Sequence, residues 1–149
     1  MSVLTIDEAK AQSRIDDDAD DVLIQGKLDA AESMAAQFMG RYVYANDADL
    51  IAGLDQVKTI LENAKSESQA LIDGVSDDDK PLYQGIADQK LYDARRHALM
   101  ISNGKVINPH ISAGILLIFG YLYENREDDG DLPQAAKNVL QPYRVNLGV

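Results

Sequence analysis

The densest apolar stretch of the chain is residues 111–127, ISAGILLIFGYLYENRE. Positions 113–123 are all apolar, glycine or tyrosine, and the chain turns polar at Glu124. Such a run is too short to span a bilayer, which takes roughly 20 residues. It is long enough for a helix buried on nearly all sides, a central post for amphipathic helices. Asn108-Pro109 precedes it, and proline suits the start of a helix.

Around that post the apolar positions keep helical spacing. Thr5-Ile6-Asp7-Glu8 is a capping box that starts a short first helix, fading near residues 13–15. An acidic run, 16–21, predicts a solvated turn and an N-cap. Its alternate aspartates resemble a calcium loop only in part. Asp21 stands where glycine is needed and Lys27 where a bidentate glutamate is needed, which excludes an EF-hand. A second helix, about 20–39, carries the stripe Ile24, Leu28, Ala31, Ala35 and Phe38, and Gly40 ends it.

Residues 41–47 predict a brief extended segment. From about 49 a heptad pattern follows: Leu50, Leu54, Val57, Leu61, Ala64, Ser68 and Leu71. Gly74 and Asp77-Asp78-Asp79 close it. Pro81 then opens a helix running through Leu82, Ile86, Leu91, Leu99 and Met100 to Asn103-Gly104. These two helices, about 49–73 and 80–102, predict an antiparallel hairpin. Residues 105–108 predict a short strand or linker. After a loop at 128–131, Pro133 opens a last helix to about Leu140, and Pro142 stops it. The expected fold is mainly all-α: a small helical bundle around one buried helix, about 110–126, with a helical hairpin and at most short β segments. One domain, 1–149, fits the length.

Charge changes the functional picture. The net charge is −11 and the pI about 4.4. That argues against a nucleic-acid binder, whose affinity comes from cations neutralising phosphates. There is no cysteine, hence no disulfide or thiolate chemistry. The start, MSVLTIDEAK, shows no signal-peptide pattern. His97 and His110 lack a second ligand at metal spacing, and neither a nucleophile elbow nor a phosphate loop is present. Glu124-x-x-Glu127 has no partner motif for a hard cation. No catalytic residue, cofactor or metal is therefore expected. Lys90, Arg95, Arg96, His97 and Lys105 are the one local positive concentration, either a solvated face or a contact with an acidic neighbour. The 50–71 heptads leave a second possibility, a small helical adaptor or regulatory protein that binds a partner helix.

The C-terminal part is more specific. Tyr123, Glu124, Asn125, Arg126 and Glu127 end the apolar helix; Leu132, Pro133, Leu140, Pro142, Tyr143 and Arg144 follow. With LTIDEAKAQSRID at the start and Gly40-Arg41 after the second helix, the pattern resembles the gp6-like head–tail connectors of tailed bacteriophages, also labelled DNA-packaging proteins. The resemblance covers about 3–43 and 108–145, with 45–105 as an atypical helical insertion. It implies a non-enzymatic assembly protein of the virion's head–tail junction, made in the bacterial host cytoplasm. It implies a ring, commonly of twelve copies, between the portal protein and head-closure or tail-completion proteins. DNA would pass through without specific binding, repelled by an acidic wall. Tyr123, Glu124, Asn125, Arg126, Glu127, Pro142, Tyr143 and Arg144 become structural or interface candidates, with Arg126 tying the helix end to the first helix or to the terminal Pro-Tyr-Arg. Lys90, Arg95, Arg96 and Lys105 become candidates for the contact between copies, which in a ring joins two different faces.

Overall fold

The computed structural model describes residues 2–15, 21–125 and 131–146. Six helices and two short strands follow in the order α1 (Ile6–Ser13), α2 (Asp21–Met39), β1 (Val43–Tyr44), α3 (Asp47–Ile72), α4 (Lys80–Ser102), β2 (Lys105–Val106), α5 (Pro109–Glu124) and α6 (Gln134–Leu140). The fold is mainly all-α. The capping box forms as expected: the Glu8 amide donates to the Thr5 hydroxyl, and Glu8 accepts from the Thr5 amide at 2.8 Å. Asn46 caps α3 through the Asp49 amide, so that helix starts two residues earlier than its apolar pattern does. Asn108 caps α5 by accepting from the amides of His110 and Ile111. Gly40, with φ 68°, turns the chain out of α2. Pro142 does not simply stop α6; the chain tightens there into a 3-10 turn, Gln141–Tyr143. The acidic run at 16–20 lies outside the described residues.

The elements form two packing units. In the first, α5 packs on α2, α6 and α1, and α2 packs on α1 and α6. Ile111, Ile115, Ile118 and Phe119 of α5 are fully buried against Ile24, Leu28, Ala31, Ala35 and Met39 of α2 and Leu140 of α6. Each large side chain buried this way contributes about 1.5–3 kcal/mol. The post is not buried on nearly all sides. Leu116 and Leu117 are half-buried and Ala113 is exposed, because α1, α2 and α6 cover α5 from one side and the hairpin packs on itself.

The second unit is the hairpin of α3 and α4. Its α3 seam follows the heptads except at Leu54, which is 40% exposed; Ser68 is buried and its hydroxyl donates to the Ala87 carbonyl at 3.2 Å. On α4 the seam is Tyr83, Ala87, Leu91, Ala94, Ala98 and Ile101. Leu82 and Ile86 lie off it, 66% and 45% exposed. Two helices alone cover one stripe of each other, so apolar side chains about a quarter-turn away stay in solvent. The hairpin joins the bundle at its base through parallel strands β1 and β2, with Val43 opposite Lys105 and Tyr44 opposite Val106.

Gly114 marks the closest approach in the bundle. A Cβ there would stand 2.5 Å from Leu140 Cδ2. Gly114→Ala is expected to cost about 1–3 kcal/mol. Leu140→Ala alone is expected to cost about 2–5 kcal/mol by leaving a cavity. In the double variant the two costs fall short of their sum, since each relieves the other. Urea denaturation of the four proteins in the cycle measures this.

Candidate functional site

The motif residues of the sequence divide between the two ends of α5. At its C-terminal end the Tyr123 ring stacks on Phe119, centroids 6.0 Å apart. Asn125 closes the helix: its amide and its side-chain Nδ2 both donate to the Tyr121 carbonyl at 2.9 Å. Lys27 of α2 donates to the Leu122 carbonyl, placing a cation on the negative end of the helix dipole. Glu124 is exposed. Arg126 and Glu127 lie outside the described residues. Tyr143 and Arg144 sit at the other end, because α6 runs back along α5. The tie expected of Arg126 falls outside the described residues, while Tyr143 lies beside His110 at the N-terminal end of α5.

At the N-terminal end of α5 the fold gathers cations and aromatic rings. Tyr143 lies 6.4 Å from the His110 ring, and Lys105 Nζ lies 5.9 Å over Tyr143. The Arg144 guanidinium sits 5.3 Å over Phe38, and the Val145 amide donates to the Met39 carbonyl. Arg96 Nη2 donates to Gln37 Oε1 at 3.0 Å, which joins α4 to α2. Tyr42 meets His97 edge to face at 5.5 Å, and its backbone bonds Met100 and Lys105. Arg41 Nε is buried with no acceptor among the described residues. Burial, and secondarily the neighbouring Tyr42, raise the Tyr44 phenol above its ordinary value of 10.0.

Three chain segments meet in this region, 33–46, 94–123 and 132–146. They hold none of the 25 acidic residues but six of the 14 Lys and Arg: Arg41, Arg95, Arg96, Lys105, Lys137 and Arg144. Lys137 pairs with Asp131 at 3.0 Å. Among the described residues the other five make no ion pair. The base of the hairpin thus gathers cations and aromatic rings, with Asp47 and Asp49 of the first turn of α3 close by, on a chain of net charge −11. The sequence carries the signal for it, three acid-free stretches, but only the fold brings them together.

The positive concentration at 90–105 is not one strip. Lys90 is engaged by Glu67 of α3. Arg95 and Arg96 are adjacent on a helix and so point about 100° apart. Arg96 and Lys105 belong to the base; Arg95 is exposed.

Two features carried no local sequence signal. Glu32 of α2 accepts from the Ser2 hydroxyl and from the Val3 and Leu4 amides, at 2.9 and 3.0 Å, and so straps the N-terminal segment to the bundle. Beside the strap lies a cleft of about 470 Å³ lined by Val3, Tyr42, Tyr44, Asp49, Gln56 and His97. Among the described residues no group of three or more His, Asp or Glu is placed to hold a metal ion, and no helix is long and apolar enough to cross a membrane.

The family description "Phage gp6-like head-tail connector protein" matches residues 3–147, a span that includes the hairpin. No curated protein and no solved structure matches the chain.

Glu32→Ala leaves two main-chain donors without their acceptor, and is expected to cost about 1–3 kcal/mol. The Val3 and Leu4 amides should then exchange hydrogen far faster, while those of Ile115 and Ile118 keep their relative protection. Native-state hydrogen exchange reads both.

Proposed function

The chain belongs to the phage gp6-like head–tail connector family, and from that premise we propose that it is a structural virion protein whose copies close into a ring at the head–tail junction. The ring, of about twelve copies as the resemblance implies, stands between the portal protein and the head-closure or tail-completion proteins. DNA passes through its hole. The observation that carries this reading is the family match over 3–147. The virion role of the family is structural, and we read this chain as non-catalytic.

Physical features support the same reading. An excess of 25 acidic over 14 basic residues keeps most of the surface negative, so DNA slides past a repelling wall. A partly exposed face on α5, with Ala113, Leu116 and Leu117, is available for contact with a neighbour. Arg95, exposed and without an ion-pair partner among the described residues, joins Arg96 and Lys105 as residues we place at contacts between copies. Tyr123, Glu124 and Asn125 finish α5, and we assign them to the fold. The hairpin, residues 46–104, is an arm on a single domain. The competing adaptor reading needs a free heptad seam on α3, and that seam is occupied by α4.

Negative-stain electron microscopy and light scattering of the purified chain test the ring. Closed rings with a central hole, and a mass of many subunits that rises with concentration, are expected. A monomer or a two-chain coiled coil at every concentration would overturn the reading.

A further inference from the structure

The hairpin carries opposite chemistry at its two ends. At the turn, Asp73, Asp77, Asp78 and Asp79 are all exposed. Among the described residues Lys80 makes their one ion pair, with Asp77 at 2.6 Å, while Asp73 accepts from Gln69 and Asp79 from Ser76. Beside them, one helical turn apart, stand the exposed Leu82 and Ile86. At the base, Arg96, Lys105 and Arg144 rest on Gln37 and on the Tyr143 and Phe38 rings, not on carboxylates. Those rings are half-buried, so the base also offers apolar area between its cations.

We propose that the acidic turn of one copy, with Leu82 and Ile86, docks on the cationic base around Arg96, Lys105 and Arg144 of a second copy. This rests on the reading that the chain assembles with itself, and it names the surfaces. The two ends cannot meet within one chain. Asp79 and Arg96 stand 17 residues apart along α4, so the turn and the base lie about 25 Å apart. That is several times the screening length of roughly 8 Å at physiological salt, and neither end neutralises the other. Between copies the turn and the base are complementary twice over: carboxylates meet cations at the rim, and Leu82 and Ile86 meet Phe38 and Tyr143 inside it. A phosphate backbone would answer the base alone and leave the apolar pair in water. The contact joins two different surfaces, and repetition of such a contact closes a ring when the rotation permits.

The test uses two charge-reversed full-length chains. One carries Asp77→Lys, Asp78→Lys and Asp79→Lys; the other carries Arg96→Glu, Lys105→Glu and Arg144→Glu. Circular dichroism checks folding, and Asp77→Asn, Asp78→Asn and Asp79→Asn serve as a milder set if reversal disturbs the turn. Sedimentation velocity reads association at low and high salt. Each reversed chain alone should associate about tenfold or more weakly than the wild type. Mixing the two should restore assembly with the two chains alternating, because each turn then meets a base of opposite charge. Combining all six changes in one chain should restore assembly. Rings of wild-type size from both single sets would refute this docking and leave the ring standing. A wild-type chain that stays monomeric throughout would refute the ring, and the docking with it. Loss of association with no rescue by mixing or combination would overturn the pairing. If the base-reversed chain keeps wild-type association but loses retention of a short DNA duplex, the base reads phosphates and the proposal falls.

Discussion

The burial of one face of α5 is the constraint on which the rest of the structure depends. Ile111, Ile115, Ile118 and Phe119 recur at four- and three-residue steps and are fully enclosed by α1, α2 and α6. The enclosure is tight because α2 meets that face with Ala31 and Ala35 as well as Ile24 and Leu28, and because Gly114 lets Leu140 come within contact of the α5 backbone. Once α5 is fixed, its two ends are fixed. One is closed by Asn125 and Lys27 and looks structural. The other delivers β2, His110 and the α6 return to a single place, where they meet the end of α2.

The base is therefore a consequence of packing before it is a patch of charge. Helix α2 ends at Met39, and the chain passes at once into β1 beside β2. Arg41 and Phe38 arrive with α2, Arg96 with α4, Lys105 with β2, and Arg144 with the turn after α6. Cations converging from four elements repel one another, and nearby carboxylates would ordinarily relieve that. Here ring faces and a glutamine amide take part of the role, which contributes only about 0.5–1 kcal/mol per exposed cation–π contact. Among the described residues these cations make no ion pair, and that leaves them available to an intermolecular partner.

Much of this fold was legible in the sequence because the helices announce their ends. Thr5 with Glu8, Gly40, and Asn108 with Pro109 are local devices whose chemistry works the same in any context. The hairpin was legible as two antiparallel helices, but the seam of α4 was not. Half of its α4 seam is alanine, Ala87, Ala94 and Ala98, with Ser68 bonded to the Ala87 carbonyl, and alanine gives little hydropathy contrast. Leu82 and Ile86 dominate the pattern by size while standing in solvent. Glu32 was not legible at all, since its partners are main-chain amides 28 and 29 positions away and leave no trace in spacing. The motif around Tyr123 and the one around Tyr143 read as one unit along the chain, yet the antiparallel course of α6 sets them at opposite ends.

The alanine-rich seam also explains why the hairpin is suited to reach beyond its own bundle. Small residues bring α3 and α4 close, but they bury little apolar area per turn compared with the leucine and isoleucine of the α2–α5 contact. An isolated helical pair of this kind gains little from propensity alone. Its base is secured to the bundle by two strand pairings and the Arg96–Gln37 bond; the bonds at the acidic turn are local, Lys80 to Asp77 and Ser76 to Asp79. A second copy covering Leu82 and Ile86 would add the burial that the hairpin lacks, so assembly and ordering of the arm become one event. A chain built this way keeps its weakest packing where a neighbour can complete it, and its strongest packing, around α5, where no neighbour is needed.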